Sequence, residues 1–180
     1  MKRFVLTGTP GAGKTTVIDA LRQLGQAAVG EAATDVIDRE QAAGNPEPWR
    51  DAGFVDAVVA VQREREAEAS SHGAGVCFFD RSPVCTLALS RFLGRPTSPA
   101  LAAEIDRIQR AQTYQRTVFF LANLGFIVPS AARRISFEDA LVFERVHRET
   151  YGELGYQLLD VAVAAPGERA EAILEMVADR

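Results

Sequence analysis

A glycine-rich stretch near the start of the chain carries the clearest chemical signal in the sequence. Residues 8–15 read Gly-Thr-Pro-Gly-Ala-Gly-Lys-Thr, a complete match to the phosphate-binding pattern G-x-x-x-x-G-K-[ST]. Glycines let backbone N–H groups approach phosphate oxygens closely, and the N-terminus of a following helix favours negative charge. The pattern therefore predicts a phosphate-binding loop (P-loop) for a nucleoside triphosphate; the alternative is a glycine-rich turn that fits by chance.

Two side chains of this loop have distinct predicted roles. Lys14 is expected to bring a positive charge to the β- and γ-phosphates, and the Thr15 hydroxyl to ligate Mg²⁺. The loop and the first turn after it form the predicted nucleotide contact. Its members are Gly8, Thr9, Pro10, Gly11, Ala12, Gly13, Lys14, Thr15 and Thr16.

An acidic and a basic residue follow the apolar run Val76–Phe79. Asp80, at the end of this predicted buried strand, is a candidate for holding Mg²⁺ and its water shell; capping of the next helix is the alternative. Arg81 stands where ring-forming and switch proteins that hydrolyse ATP usually place a water-activating glutamate. It is therefore a candidate for stabilising charge on a transferred phosphoryl group or for gripping an acceptor, unless it is a structural arginine paired with a nearby acid.

Glu31 follows the predicted second strand, which brings it to the same sheet edge as the P-loop and Asp80. It is a candidate general base for an acceptor hydroxyl, or a hydrogen-bond acceptor for it. A helix-start carboxylate favoured by the helix dipole is the alternative.

Two further groups are weaker candidates for the site. Arg133 and Arg134 lie in a long predicted loop, residues 122–135, and could close over the phosphates as a lid; ordinary surface charge is the alternative. The stretch 49–54, with Trp49, Arg50 and Phe54, could contact an acceptor, with Gln62 and Arg65 on the next helix, but core packing is the alternative. The histidines at positions 72 and 147 show no partner pattern and receive no role.

The elements that must position these residues alternate along the chain. Apolar runs predict strands at 3–7, 26–30, 76–80, 117–121 and 156–161. Helical spacing and turn residues predict helices after the P-loop and at 32–43, 51–70, 82–94, 98–112 and 136–151, and from 168 onward. Ser82 and Ser136 are the predicted helix caps, and Glu64, Glu66 and Glu68 the solvated side of the helix 51–70. Such alternation predicts an α/β fold with a five-stranded parallel sheet, helices on both faces and a single domain over 1–180.

Composition narrows the class of protein. The chain has 180 residues with a net charge of −4 and no basic tract, which argues against nucleic-acid binding. No apolar run approaches the ~18 residues of a membrane span, and Gly8 interrupts the first one too early for a signal peptide. Cys77 and Cys85 fit no metal or redox spacing. These features predict a cytoplasmic protein; its oligomeric state is open.

The same residues resemble a known group of proteins. The P-loop, the apolar strand ending in Asp80-Arg81-Ser82 and the arginines of segment 122–135 resemble the nucleoside and nucleotide kinase branch of P-loop proteins. Within that branch, the strand 117–121 and the stretches 134–140 and 151–156 are similar to the small bacterial AAA-28 family, which is related to the ribosylnicotinamide kinase domain. The resemblance implies a three-layer P-loop NTPase fold, ATP and Mg²⁺ as cofactors, and a small-molecule acceptor. After Leu121 the chain departs from that family's proline-rich, aromatic pattern.

Deoxynucleoside kinases carry an acid-Arg-Ser motif that Asp80, Arg81 and Ser82 match. The resemblance implies a metal-linked role for Asp80 and a base role for Glu31. The preferred hypothesis is therefore a kinase that transfers the γ-phosphoryl group of ATP to a hydroxyl or phosphate of a nucleoside-like or other small acceptor. The alternatives are a nucleotide-dependent regulator that binds a protein partner, and a standalone ATPase.

Overall fold

The predicted α/β architecture is confirmed, with a parallel sheet at the centre of the fold. The structure, a computed structural model, describes residues 1–71, 75–125 and 135–178. The sheet has five strands in the order β2-β3-β1-β4-β5, all parallel. The strands are β1 (Lys2–Thr7), β2 (Ala27–Val29), β3 (Val76–Asp80), β4 (Thr117–Leu121) and β5 (Gln157–Val161).

Helices connect the strands, as parallel pairing requires. They are α1 (Lys14–Gln23), α2 (Ala32–Ala42), α3 (Phe54–Ser71), α4 (Pro83–Phe92), α5 (Pro99–Arg110), α6 (Phe137–Glu153) and α7 (Pro166–Ala178). A 3-10 turn, Pro48–Arg50, precedes α3. The predicted helix at 51–70 therefore begins three residues later than expected, because residues 51–53 form a bend and a turn after the 3-10 turn.

The two faces of the sheet are covered by different helices. Side chains alternate along a strand, so Phe4 and Leu6 of β1 join α1 and α7 in one apolar cluster. Val5 points to the opposite face and packs in a cluster with residues of α3, α4, α5 and α6. The strands read as continuous apolar runs because both faces are buried.

One prediction about α3 is wrong. The sequence predicts Glu66 on the solvated side of this helix, but the residue is buried, at 8% exposure. Its carboxylate accepts a hydrogen bond from Arg107 of α5 at 2.6 Å and lies 3.6 Å from the guanidinium of Arg3 in β1. Two cations from distant parts of the chain thus compensate for the burial of this charge.

Within the described ranges 1–71, 75–125 and 135–178, none of the helices combines the length and apolar character needed to cross a bilayer.

Candidate active site

The P-loop follows β1 and leads directly into α1, as its sequence pattern predicts. Gly8 has φ 137°, and a Cβ atom built on it would lie only 2.6 Å from the backbone oxygen of Leu121. Gly11 and Gly13 also have positive φ angles. The glycines are therefore required by backbone geometry here, and the loop curls over the first turn of α1.

Lys14 lies inside this curl. Its ammonium group donates hydrogen bonds to the backbone oxygens of Gly8 and Thr9, at 3.1 and 2.8 Å. Burial, and next the positive charge of Arg81, lower the pKa of Lys14 from 10.5 to about 8. A buried ammonium held against the loop is placed to meet an anionic ligand.

Thr15 and Asp80 lie side by side at the carboxyl edge of the sheet. The Thr15 hydroxyl is 3.5 Å from Oδ2 of Asp80, and Oδ1 of Asp80 is buried without a hydrogen-bond partner. Burial is the main cause that raises the pKa of this carboxyl. Among the described residues, no hydrogen bond joins Asp80 to the first turn of α4, so the capping alternative has no support there.

The two oxygen-bearing side chains fit a Mg²⁺ ion that is shared with phosphate groups. Mg²⁺ typically uses one or two protein oxygens and completes its shell with phosphates and water. In the described ranges no group of three His, Cys, Asp or Glu side chains could hold a metal by itself. Thr15 and Asp80 are the residues that would hold it.

Arg81 and Glu31 form a short ion pair in this region. Nε of Arg81 donates to Oε1 of Glu31 at 2.5 Å, and the Thr34 hydroxyl donates to the other carboxylate oxygen at 3.1 Å. Burial by itself would raise the pKa of Glu31, but the charges of Arg81 and Lys14 and these hydrogen bonds outweigh it and lower the pKa to about 2. Despite its burial, Arg81 has a pKa above its usual range because Glu31 faces it.

The backbone of Arg81 is itself unusual. Its φ angle is 73°, a left-handed conformation that costs a non-glycine residue roughly 1–2 kcal/mol. Its N–H donates to the backbone oxygen of Leu6 at 3.0 Å. This turn bends the chain at the end of β3 and directs the side chain toward Glu31. Strain of this kind clusters at functional sites.

A narrow cleft opens beside the Arg81–Glu31 pair, and its volume of about 10 Å³ is roughly the space of one water molecule. Phe79 and Tyr114 supply aromatic surface to its lining, and Gln62, Arg65 and Arg81 supply polar groups. Gln62 accepts a hydrogen bond from Thr86 at 2.9 Å, and Arg65 donates to the backbone oxygen of Gly30 at 3.0 Å. The cleft therefore combines flat apolar surface with hydrogen-bond donors.

Several other predicted site residues do not line the cleft beside Arg81. Phe54 and Trp49 pack in an apolar cluster with α2, which is the core alternative for them. Arg50 is exposed and pairs with Glu47 at 3.0 Å. Thr16 faces solvent and donates to the backbone oxygen of Gly13 at 2.7 Å. The remaining predicted residues of this group, Arg133 and Arg134, lie outside the described part of the chain.

Sequence reasoning missed a contact of α7 with the P-loop. Arg169 is 3% exposed and donates to the backbone oxygens of Ala12 and Ala122, at 2.8 and 3.4 Å. It joins the P-loop to the end of β4. No local pattern could have identified it, because an arginine in an amphipathic helix normally faces solvent.

Sequence reasoning also missed a group of contacts that joins the start of α4 to α6 next to Arg81. Ser82 occupies the predicted N-cap position of α4, but its hydroxyl bonds the Tyr151 hydroxyl at 2.8 Å instead of capping the helix. Cys85 lies 3.1 Å from the same Tyr151 oxygen. His147, one turn earlier on α6, is fully buried and contacts Arg81. By contrast, Ser136 caps α6 as predicted, since it accepts a hydrogen bond from the N–H of Asp139 at 3.0 Å.

The sequence was compared with models of protein families and with curated proteins, and the fold with solved structures. Residues 3–169 match the family model AAA_28, described as an AAA domain. No curated protein sequence matches the chain.

Solved structures share the fold at low sequence identity. One is shikimate kinase from Acinetobacter baumannii in complex with shikimate, with 16% identity, a TM-score of 0.59, and coverage of 99% of this chain and 94% of that one. Deoxyadenosine kinase from M. mycoides, with its products dCMP and a flexible dCDP bound, has 14% identity, a TM-score of 0.62, and coverage of 99% and 100%. The NadR protein in complex with NAD and AMP-PNP has 15% identity and a TM-score of 0.67, and the match covers 97% of this chain and 49% of that one.

Proposed function

The chain belongs to the AAA_28 family of AAA domains, and we propose that it is an Mg-ATP-dependent kinase. The proposed reaction moves the γ-phosphoryl group of ATP to a hydroxyl or phosphate of a nucleoside-like or other small acceptor. The observation that carries this proposal is the Arg81–Glu31 ion pair, 2.5 Å long, beside the P-loop and Asp80. Hydrolases place a water-activating glutamate after the metal-linked acid. In this chain Asp80 is followed by Arg81, whose side chain pairs with Glu31.

The donor side consists of the P-loop and the residues around it. Backbone N–H groups of the loop and Lys14 bind the triphosphate, while Thr15 and Asp80 hold the metal. When bound, Mg²⁺ neutralises negative charge on the phosphates. Burial lowers the pKa of Lys14 to about 8 by disfavouring its charged form. A bound phosphate anion beside the ammonium stabilises that charged form.

On the acceptor side, Glu31 orients the attacking group. With a pKa of about 2, it is ionised at neutral pH and accepts a hydrogen bond from an acceptor hydroxyl. The hydroxyl oxygen forms the new bond to the γ-phosphorus as the bond to the β-phosphate oxygen breaks and ADP leaves. The hydroxyl proton passes to Glu31 late, when the oxygen has become acidic by bonding to phosphorus.

Arg81 stabilises the transferred group. Its positive charge is near enough to Lys14 of the phosphate-binding loop to lower the pKa of that group, and a fixed positive charge there lowers the energy of the phosphoryl group in transit. Its pairing with Glu31 also fixes the position of that carboxylate beside the cleft-lining Arg81. The ion pair therefore links the residue that stabilises the transferred phosphoryl group, Arg81, to the residue that orients the acceptor, Glu31.

The experiment is an ADP-release assay with Mg-ATP and a panel of acceptors. The solved kinases of similar fold, with shikimate or deoxynucleotides bound, define the first compounds: hydroxylated ring acids, nucleosides and nucleoside monophosphates, with amino sugars added. We expect one class to raise ADP release at least tenfold above the rate without acceptor. Phosphorylated product, identified by mass spectrometry, distinguishes transfer from stimulated hydrolysis.

Matched variants test the residue roles. Lys14→Ala should abolish turnover, and Glu31→Gln should lower kcat by roughly 10²-fold or more, as for the loss of a catalytic base. Asp38→Asn changes an exposed acid of α2, the helix that Glu31 precedes, and should leave kcat unchanged. Rapid acceptor-independent hydrolysis would favour the ATPase alternative. Nucleotide-dependent capture of a protein partner without any transfer would favour the regulatory one.

A further inference from the structure

One fully buried histidine of α6 is unexplained by packing alone. His147 has 0% exposure, and its Nδ1 lies 2.9 Å from the backbone oxygen of Phe143. A carbonyl oxygen only accepts, so we assign the ring proton to Nδ1. The other ring nitrogen, Nε2, then carries a lone pair and needs a donor.

Arg81 supplies that donor. Its Nη1 is 3.4 Å from Nε2 of His147, and a guanidinium group can only donate hydrogen bonds. The two contacts of the ring thus require the same tautomer. Burial and the charge of Arg81 lower the pKa of His147 to about 3, which keeps the ring neutral.

Arg81 is consequently held from two sides. Glu31, which follows β2, engages Nε, and His147, from α6, engages Nη1. A second carboxylate in place of His147 would add to the negative charge that Glu31 already brings to the guanidinium, whereas a neutral imidazole orients the guanidinium without adding any. This difference matters for a group that stabilises a phosphoryl anion.

We propose that His147 is a positioning residue that fixes the guanidinium of Arg81 through a neutral hydrogen bond, and so couples α6 to phosphoryl transfer. The catalytic part of this inference rests on the proposed kinase function. The contact itself is a property of the free protein and can be tested without an acceptor.

Three substitutions separate positioning from packing. In His147→Gln the side-chain amide oxygen reaches the place of Nε2 and can accept from Arg81. In His147→Asn the shorter amide reaches only the position of Nδ1 and cannot accept from Arg81. His147→Leu keeps a side chain of similar size but has no hydrogen-bond acceptor. Thr150→Val, a fully buried change on the same helix that affects a hydrogen bond to Arg91, is the matched control.

Kinetics provide the first readout, with the acceptor that the panel identifies. We expect His147→Asn and His147→Leu to lower kcat roughly 10- to 100-fold, as for a misplaced catalytic group, with the KM for Mg-ATP within about twofold of the wild type. His147→Gln and Thr150→Val should stay within about threefold. Equal kcat values for the Gln, Asn and Leu variants would overturn the proposal.

NMR of the arginine side chains provides the second readout, on the free protein. The Nη1 protons of Arg81, which face His147, should exchange slowly in the wild type and in His147→Gln, and at least about tenfold faster in His147→Asn and His147→Leu. Unchanged exchange in all variants would overturn the contact. If no acceptor is phosphorylated yet exchange follows this pattern, the kinase proposal fails while the positioning of Arg81 stands.

Discussion

The buried histidine of α6 predicts a specific pH dependence of stability. Burial, and next the positive charges of Arg81 and Lys14, lower the pKa of His147 from 6.5 to about 3 in the folded state. Between these values the unfolded chain binds a proton at this position and the folded chain does not. The free energy of unfolding therefore falls as the pH drops from 6.5 toward 3.

The magnitude follows from the interval between the two pKa values. Each pH unit within it changes the free energy of unfolding by about 1.4 kcal/mol. Between pH 7 and pH 5 the contribution of His147 should therefore decline by about 2 kcal/mol. The pKa of Glu31, about 2, is below its normal value of 4.5, so its stabilising contribution is lost only below this window.

The assay is urea unfolding of the wild type and of His147→Gln at pH 7 and pH 5. The variant cannot take up a proton at this position, so its stability should fall by about 2 kcal/mol less than that of the wild type. All other titrating groups are common to both proteins and cancel in the difference. Thr150→Val should show the wild-type pH dependence. Parallel pH profiles for wild type and His147→Gln would refute a buried, neutral His147.

Three other substitutions test single features of the structure. Gly8→Ala should destabilise the protein by at least ~1–3 kcal/mol, because the new Cβ would meet the backbone oxygen of Leu121 at 2.6 Å in a strained conformation; an unchanged thermal midpoint would contradict this geometry. Tyr151→Phe should cost about 1–3 kcal/mol in urea unfolding, since Ser82 loses its buried partner, while the affinity for Mg-ATP stays the same. Asp80→Asn should remove most of the gain in ATP affinity that Mg²⁺ provides over EDTA; an equal gain in both proteins would exclude Asp80 as a metal residue.

Much of the architecture could be predicted from local pattern. The strands β3 and β4 match their predicted bounds, 76–80 and 117–121, because each is a short, almost uninterrupted apolar run flanked by polar or turn residues. The P-loop pattern also specifies the strand before it and the helix after it. In these cases the information is contiguous along the chain, so neighbouring residues suffice to read it.

The errors arose where a distant partner changed the environment of a residue. Glu66 looked solvated from the periodicity of its own helix, yet Arg3 and Arg107 enclose it. Ser82 occupies a capping position, but Tyr151, far along the chain, takes its hydroxyl. Helical periodicity describes one element at a time and contains no information about what packs against it.

The sequence by itself determined the phosphate loop, the alternation of strands and helices, and the candidates Glu31, Asp80 and Arg81. Only the tertiary structure decided how they pair. The sheet order places β3 between β2 and β1, so the end of β3 lies between Glu31 and the P-loop. Arg81 then meets an acid 50 positions away and His147, 66 positions away. Such pairings depend on which strands and helices are neighbours in space, and that follows from burying the whole set of apolar faces together.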